Sequence, residues 1–129
     1  MTWSLEEGKP IFLQISERIE NDIIEGKIRE GEQIPSTNQF AAYYQINPAT
    51  AAKGVNRLVE EGILYKKRGI GMFVAEGARK QLLEKRRQQF YEKYVLALLQ
   101  EATKLGIRKE DIIAMIQRSE MLDEGGNGA

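Results

Sequence analysis

Two closely spaced helix start signals in the middle of the chain constrain its fold more than any other feature. Ser36 is followed three residues later by Gln39, the spacing of a capping box, in which each side chain bonds the other residue's backbone N–H. Asn47 is directly followed by proline, which pairs a preferred N-cap residue with the residue favoured at the first helical position. These signals predict a helix over about 37–44, a short connection, and a second helix over about 48–61.

An amphipathic helix is predicted before this pair, and a β-hairpin after it. Isoleucines recur at every fourth position from residue 11 to residue 23, which predicts a helix from about Pro10 to Gly26 with one buried stripe. Two β-prone runs, 63–65 and 72–74, flank the basic, glycine-bearing tip KKRGIG. This order of elements predicts a winged helix-turn-helix, in which one helix enters the DNA major groove and the hairpin reaches the flanking backbone.

Gly54 stands inside the helix predicted over 48–61, where glycine costs about 1 kcal/mol relative to alanine. A close approach of the first or second helix at this position would explain it. The inner stripe of the same helix is predicted to contain Ala51, Val55, Leu58 and Val59.

The C-terminal part predicts a helical dimerisation region. A helical pattern runs from about 78 to 105, Gly106 breaks it, and a further helix is predicted over 109–121. Its apolar stripe is too broad for so small a winged domain to cover, so we expect a dimer interface, with a ligand pocket or an intramolecular core as the alternatives. The predicted interface residues are Leu82, Leu83, Phe90, Tyr94, Val95, Leu98, Leu99, Ile112 and Ile116.

The fold class is therefore mostly α with a small β wing. We expect a DNA-binding domain over 1–76, a helical dimerisation region over 77–122, and a disordered tail over 123–129.

Composition excludes most catalytic functions. The 129 residues contain no cysteine and no histidine, which removes thiolate metal sites, the commonest metal ligand and the usual general base. We expect no enzymatic activity, no cofactor and no metal. The absence of disulfides, of a signal-peptide pattern and of any apolar run near 20 residues predicts a cytoplasmic protein without a membrane span.

The net charge is zero, but the charges are unevenly distributed. Residues 53–87 carry 10 Lys/Arg against 4 Asp/Glu, a net charge of +6, whereas 1–52 carry 4 against 8, a net charge of −4. Positive charge is therefore concentrated in and after the helix predicted over 48–61, which favours contact with DNA phosphates.

The candidate DNA-binding residues fall into three groups. The start of the second helix offers backbone N–H groups to phosphate, the outward side of the third helix offers donors to phosphates and base edges, and the wing tip offers cations with flexible glycines. They are Ser36, Thr37 and Asn38, then Asn47, Ala49, Thr50, Lys53 and Arg57, then Lys67, Arg68, Gly69 and Gly71.

The stretch 9–74 resembles the winged-helix domain of the GntR family of bacterial transcription regulators. The resemblance rests on PIFLQI at the first helix, the G-x-I-x-x-G-x-x-I-P-S turn, NPAT at the third helix, and EEGILYKKRGIGMFV. The short two-helix tail resembles the YtrA subfamily. This resemblance implies a homodimer, a palindromic operator, and often control of an ABC-transporter operon.

Two positions depart from the family pattern. Asn38 stands where the family usually has an arginine that contacts bases, and asparagine cannot make the forked contact of arginine. Lys53 likewise stands where arginine is common. We therefore expect an operator that differs from the usual family sequence, or weaker base contacts.

We interpret the chain as a dimeric, sequence-specific DNA-binding regulator, and we expect it to act as a repressor. Its partners are operator DNA and a second copy of itself, and no residue pattern identifies a small-molecule effector. The alternative is a protein-interaction adaptor that uses a winged-helix scaffold, which the zero net charge and Asn38 favour.

Overall fold

The computed structural model describes residues 5–119 and divides into two compact units between Arg86 and Arg87. The predicted domain boundary after residue 76 comes earlier, before the helix that leads from the first unit into the second. The predicted tail over 123–129 lies outside the described residues. Within 5–119, no helix combines the length and the hydropathy needed to cross a membrane.

The first unit contains the three predicted helices and the predicted two-stranded hairpin, followed by the first part of a fourth helix. Its elements are α1 (Ile11–Ile24), α2 (Thr37–Tyr44), α3 (Pro48–Glu60), β1 (Leu64–Lys67), β2 (Gly71–Val74) and the first part of α4 (Ala78–Phe90). The strands are antiparallel, with Leu64 opposite Val74 and Lys67 opposite Gly71. Gln33 forms an isolated bridge to Phe73, which places the segment before α2 alongside the wing.

The core of the first unit is built from one face of each helix and the inner ends of the strands. Ile15, Ile19 and Ile23 of α1 are fully buried, which confirms three positions of the predicted isoleucine stripe, whereas Ile11 at its start is 37% exposed. The other buried apolar residues of this core are Ile34, Phe40, Ala41, Ala51, Val55, Leu58, Ile63, Leu64, Val74, Ala78 and Leu82. The predicted inner stripe of α3 is therefore correct for Ala51, Val55 and Leu58, while Val59 packs against the core from its edge.

Helix α3 crosses α1 at very short distance, and Gly54 makes this possible. A Cβ atom at residue 54 would lie 2.6 Å from the carbonyl oxygen of Phe12 and 3.0 Å from Cβ of Ile15. The Ser16 hydroxyl donates a hydrogen bond of 2.6 Å to the carbonyl of Gly54. The predicted close approach is thus confirmed, and the partner is α1.

The first part of α4 is fixed to this core by polar contacts. Glu20 of α1 is only 5% exposed, and its carboxylate lies 3.2 Å from Nζ of Lys85 and 3.2 Å from Nη2 of Arg86. Lys85 also lies 3.3 Å from the Glu61 carboxylate, just after α3. The Glu30 carboxylate accepts the backbone N–H of Gly77 and so supplies a partner at the start of α4.

The prediction that Leu82 belongs to a dimer interface is wrong. Its side chain is 0% exposed and lies in the core of the first unit. The sequence pattern placed it on the same apolar stripe as later residues. At the start of α4, however, the apolar side of the helix packs against the core of the winged domain, where Ala78 and Leu82 are buried.

The second unit consists of the end of α4, a π-helical segment (Tyr91–Leu96), α5 (Ala97–Lys104) and α6 (Lys109–Arg118). The sequence predicted one regular helix over 78–105, so the π-helical segment is a departure from the prediction. Gly106 ends α5 at φ 71°, in agreement with the predicted break.

Gly54→Ala should destabilise the protein, although alanine favours an ordinary helix interior by about 1 kcal/mol. The added methyl group would meet the backbone of α1, so we expect the free energy of unfolding to fall by about 1–3 kcal/mol. Urea denaturation measures the change. Asn56→Ala, on the exposed side of the same helix, is the control and should leave stability unchanged or raise it slightly. Equal stabilisation by both substitutions would contradict the close α1–α3 contact.

Candidate nucleic-acid interface

The start of α2 is organised by the capping box that the sequence predicted. The Ser36 hydroxyl accepts the Gln39 backbone N–H at 3.1 Å, and the Gln39 side-chain oxygen accepts the Ser36 N–H at 2.7 Å. Ser36 and Asn38 are exposed, and Thr37 is half-buried. A rigid, exposed helix start combines outward N–H groups with the positive end of the helix dipole, which suits a phosphate.

Helix α3 presents a polar side to solvent. Asn47, Ala49, Lys53 and Arg57 are exposed and Thr50 is half-buried, whereas the opposite side is in the core. The Asn47 side-chain oxygen accepts the Ala49 N–H at 2.7 Å, so this residue acts as the N-cap of the helix. A side-chain oxygen held in this way fixes the start of α3 and is less available for a base.

The structure shows a contact of Lys53 that the sequence did not predict. Its Nζ lies 4.1 Å from the ring centroid of Phe12, at the start of α1. Such a cation–π contact is worth about 0.5–1 kcal/mol at exposed sites and holds the ammonium group at the α1 edge of α3. No sequence pattern linked the two residues, because the contact depends on the crossing of two helices.

Arg57 lies one turn further along α3 and has an acidic neighbour. Its Nε is 3.4 Å from the Glu61 carboxylate. A phosphate at this position would have to compete with that carboxylate. The sequence did contain the signal, since glutamate four residues after arginine commonly forms such a pair.

One cation of the wing, Lys67, packs against two aromatic rings. Nζ of Lys67 lies 4.5 Å from the Phe73 ring centroid and 6.0 Å from that of Tyr65. The rings of Tyr65 and Phe73 are themselves stacked, with centroids 5.8 Å apart. Lys67 and Arg68 are exposed, so both remain accessible to a polyanion.

Gln33 ties the wing tip to the segment that leads into α2. Its side-chain Nε2 donates a hydrogen bond of 3.0 Å to the Ile70 carbonyl. Gly69 has φ 77° and Gly71 has φ 150°, backbone conformations that favour glycine. A Cβ atom at Gly71 would also clash with the Gln33 amide. Sequence reasoning found both glycines but missed Gln33, which fixes the tip that they form.

The arrangement is that of a winged helix-turn-helix with a polar α3, a capped α2 and a cationic wing. Residues 12–74 match the family model described as "Bacterial regulatory proteins, gntR family". A regulator assigned to the GntR family from Bacteroides thetaiotaomicron has a solved structure with 34% sequence identity and a TM-score of 0.65. The match covers 83% of this chain and 93% of that one. The chain belongs to the GntR family and is a DNA-binding transcriptional regulator, not an enzyme.

Two curated relatives extend the comparison. The HTH-type transcriptional regulator YhcF of Bacillus subtilis is 26% identical over 121 residues, which are 94% of this chain and 96% of the relative. The HTH-type transcriptional repressor YtrA of Bacillus subtilis is 32% identical over 75 residues, and the match covers 58% of each chain.

A solved complex of a related domain contains DNA. The DNA-binding domain of AraR in complex with operator ORX1 is 33% identical, with a TM-score of 0.51, over 58% of this chain and 92% of that one. The family match over residues 12–74 includes all of the candidate DNA-binding residues. Together the comparisons support the regulator over the protein-interaction adaptor.

Ser36 offers a test that separates helix capping from phosphate contact. Ser36→Ala removes the cap and should cost about 1 kcal/mol of stability. Ser36→Asp keeps a good cap but adds a negative charge where we expect phosphate, so stability should hold while DNA affinity falls at least tenfold. Thermal unfolding and fluorescence anisotropy with labelled DNA measure the two effects. If Ser36→Asp left the DNA affinity unchanged, the start of α2 would not be part of the DNA interface.

Proposed function

We propose that the protein is a homodimeric repressor that binds a palindromic operator in the cytoplasm. The observation that carries this proposal is the two-sided character of α3. One side packs against α1 with no room for a side chain at Gly54, and the other side exposes a polar, cationic row. A helix with this division suits the major groove, because it is rigidly held and its exposed donors are free of core packing.

Within this proposal the residues have distinct roles. Ala49, Thr50 and Lys53 of α3 contact base edges and nearby phosphates. Ser36 and Thr37 contact phosphate at the start of α2, and Asn38 hydrogen-bonds a base edge where the family usually has arginine. Asn47 fixes the start of α3, and Arg57 contributes positive charge beside Glu61. Lys67 and Arg68 of the wing contact the DNA phosphate backbone, and Gly69 and Gly71 form the turn at the tip of the wing.

The second unit supports the proposal of a dimer. Phe90 is 55% exposed, Tyr94 is 56% exposed, Ile116 is 64% exposed and Leu98 is 47% exposed. An apolar surface of this kind commonly marks an interaction site. Since one α3 supplies few base contacts, pairing two copies would double the contacts and require half-sites about one helical turn apart.

The other predicted interface residues are less exposed. Leu83, Val95 and Leu99 are half-buried, and Ile112 is 9% exposed. Ile112 lines a groove of about 320 Å³ between α5 and α6, together with Leu98 and Ile116. A partner would therefore reach Ile112 only by entering this groove.

We also propose a YtrA-like role in controlling an ABC-transporter operon. The support is the similarity to YtrA together with a short second unit that contains two helices after the π-helical segment. This proposal comes from the resemblance, and the regulated genes are its direct test.

Selection of bound fragments from random DNA tests the proposed function. We expect an enriched sequence with two inverted half-sites. Lys53→Ala should weaken binding to that sequence at least tenfold and relax its base preference, because a base-edge donor is lost. Lys67→Ala should weaken binding to all sequences alike and reduce the salt dependence. Equal loss on selected and random DNA for Lys53→Ala would contradict its role in base recognition.

Dimerisation is tested by placing a charge on the exposed apolar surface. Leu98→Glu should raise the dimer dissociation constant at least 100-fold, because the carboxylate would be desolvated in the interface. Gln100→Glu adds the same charge to an exposed position of the same helix and serves as the control. Sedimentation velocity measures both. A wild-type monomer at micromolar concentration, or equal behaviour of the two variants, would refute this interface.

A further inference from the structure

A pocket of about 390 Å³ lies between α1 and α2, and the functions proposed above do not use it. It is lined by Arg18, Asp22, Pro35, Gln39, Phe40, Tyr43 and Tyr44. Its volume falls in the range of small-molecule sites, which begins at roughly 300 Å³. All of its lining residues belong to the first unit, so the pocket is complete within the winged domain.

One wall of the pocket is aromatic and open to solvent. Tyr43 is 64% exposed, and its ring meets that of Tyr44 edge-on, with an interplanar angle of 88° and centroids 4.7 Å apart. The ring of Tyr44 is nearly parallel to that of Phe40, with centroids 6.5 Å apart. An exposed aromatic surface of this kind favours a flat apolar ring as its ligand.

The opposite side of the pocket is charged. Nε of Arg18 lies 3.6 Å from Oδ2 of Asp22, and their side chains are 26% and 18% exposed. Burial raises the pKa of the Tyr44 hydroxyl; the positive charge of Arg18 opposes this rise, and Tyr43 and Asp22 add to it. The Arg18 guanidinium group lines the pocket and can donate charge-assisted hydrogen bonds to an anion.

We propose that this pocket binds a small aromatic carboxylate. The ring lies against Tyr43 and Tyr44, and the carboxylate accepts hydrogen bonds from the guanidinium group of Arg18. Arginine suits this task because its planar group matches a carboxylate with two parallel hydrogen bonds.

The pocket also borders the start of α2. Pro35 directly precedes Ser36, and Gln39 both lines the pocket and completes the capping box with Ser36. A ligand that draws the Gln39 side chain into the pocket breaks one hydrogen bond of that box. Binding of the carboxylate thus opposes binding of DNA, since each ligand favours a different arrangement of α2. This coupling rests on the proposed phosphate contact of α2, whereas the pocket itself does not.

The site is tested with 2-naphthoate on the full-length protein by ¹H–¹⁵N NMR titration. We expect saturable shifts in the amides of residues 18–22 and 36–44. Tyr43→Ala should weaken binding at least tenfold, because it removes the exposed wall without touching the core. Tyr91→Ala removes a similarly exposed tyrosine from the second unit and should leave the affinity unchanged.

Two results would overturn the site. One is equal affinity for 2-naphthalenemethanol, which keeps the ring but lacks the charge. The other is a set of shifts confined to the α5–α6 groove around Leu98 and Ile116, where an apolar ring would also fit. We expect the alcohol to bind at least fivefold more weakly and the shifts to lie in the winged domain.

The coupling is tested separately with labelled DNA. Saturating 2-naphthoate should lower the DNA affinity of the wild type several-fold and leave that of Tyr43→Ala unchanged. Unchanged DNA affinity of the wild type would overturn the coupling, while the NMR result would still decide the site. Failure to bind DNA without any naphthoate would instead count against the proposed operator binding.

Discussion

The contact between α1 and α3 is the constraint on which the rest of this protein depends. The Ser16 hydroxyl bonds the Gly54 carbonyl, and the helices come so close that the backbone of Phe12 occupies the space of a side chain at residue 54. This crossing buries one side of α3 and leaves the other exposed. It also places the Phe12 ring of α1 next to the Lys53 ammonium group of α3. The contact that holds α3 in place therefore also orients the Lys53 side chain.

The sequence predicted the winged domain well because its local signals agree with its tertiary packing. Ser36 with Gln39 and Asn47 with Pro48 specify two helix starts, and the structure contains α2 and α3 at those positions. The isoleucine stripe predicted the buried face of α1. Even the cost of a glycine inside α3 indicated a close contact, because an unfavourable residue in a regular helix needs a packing reason.

The remaining features depend on tertiary contacts that no local pattern specifies. In the sequence, Leu82 fits one continuous apolar stripe along the helix. In the structure, ion pairs from Glu20 to Lys85 and Arg86 fix the first part of α4 to the winged domain, and Leu82 is buried there. The π-helical segment was not predicted. A broad run of apolar residues fits both the i→i+4 hydrogen bonds of an α-helix and the i→i+5 hydrogen bonds of a π-helix. The aromatic pocket between α1 and α2 was missed because its lining comes from two helices, and the sequence pattern described each helix separately.

Directed cleavage of DNA tests most directly whether α3 lies in the major groove. The chain has no native cysteine, so Ala49→Cys provides a single attachment point for an iron chelate on the exposed side of α3. We predict cleavage within each half-site of the selected DNA, with the strand offset typical of attack from the major groove. An iron chelate attached through Ile113→Cys in the second unit should leave the half-sites intact. Half-site cleavage from residue 113 but not from residue 49 would contradict the account.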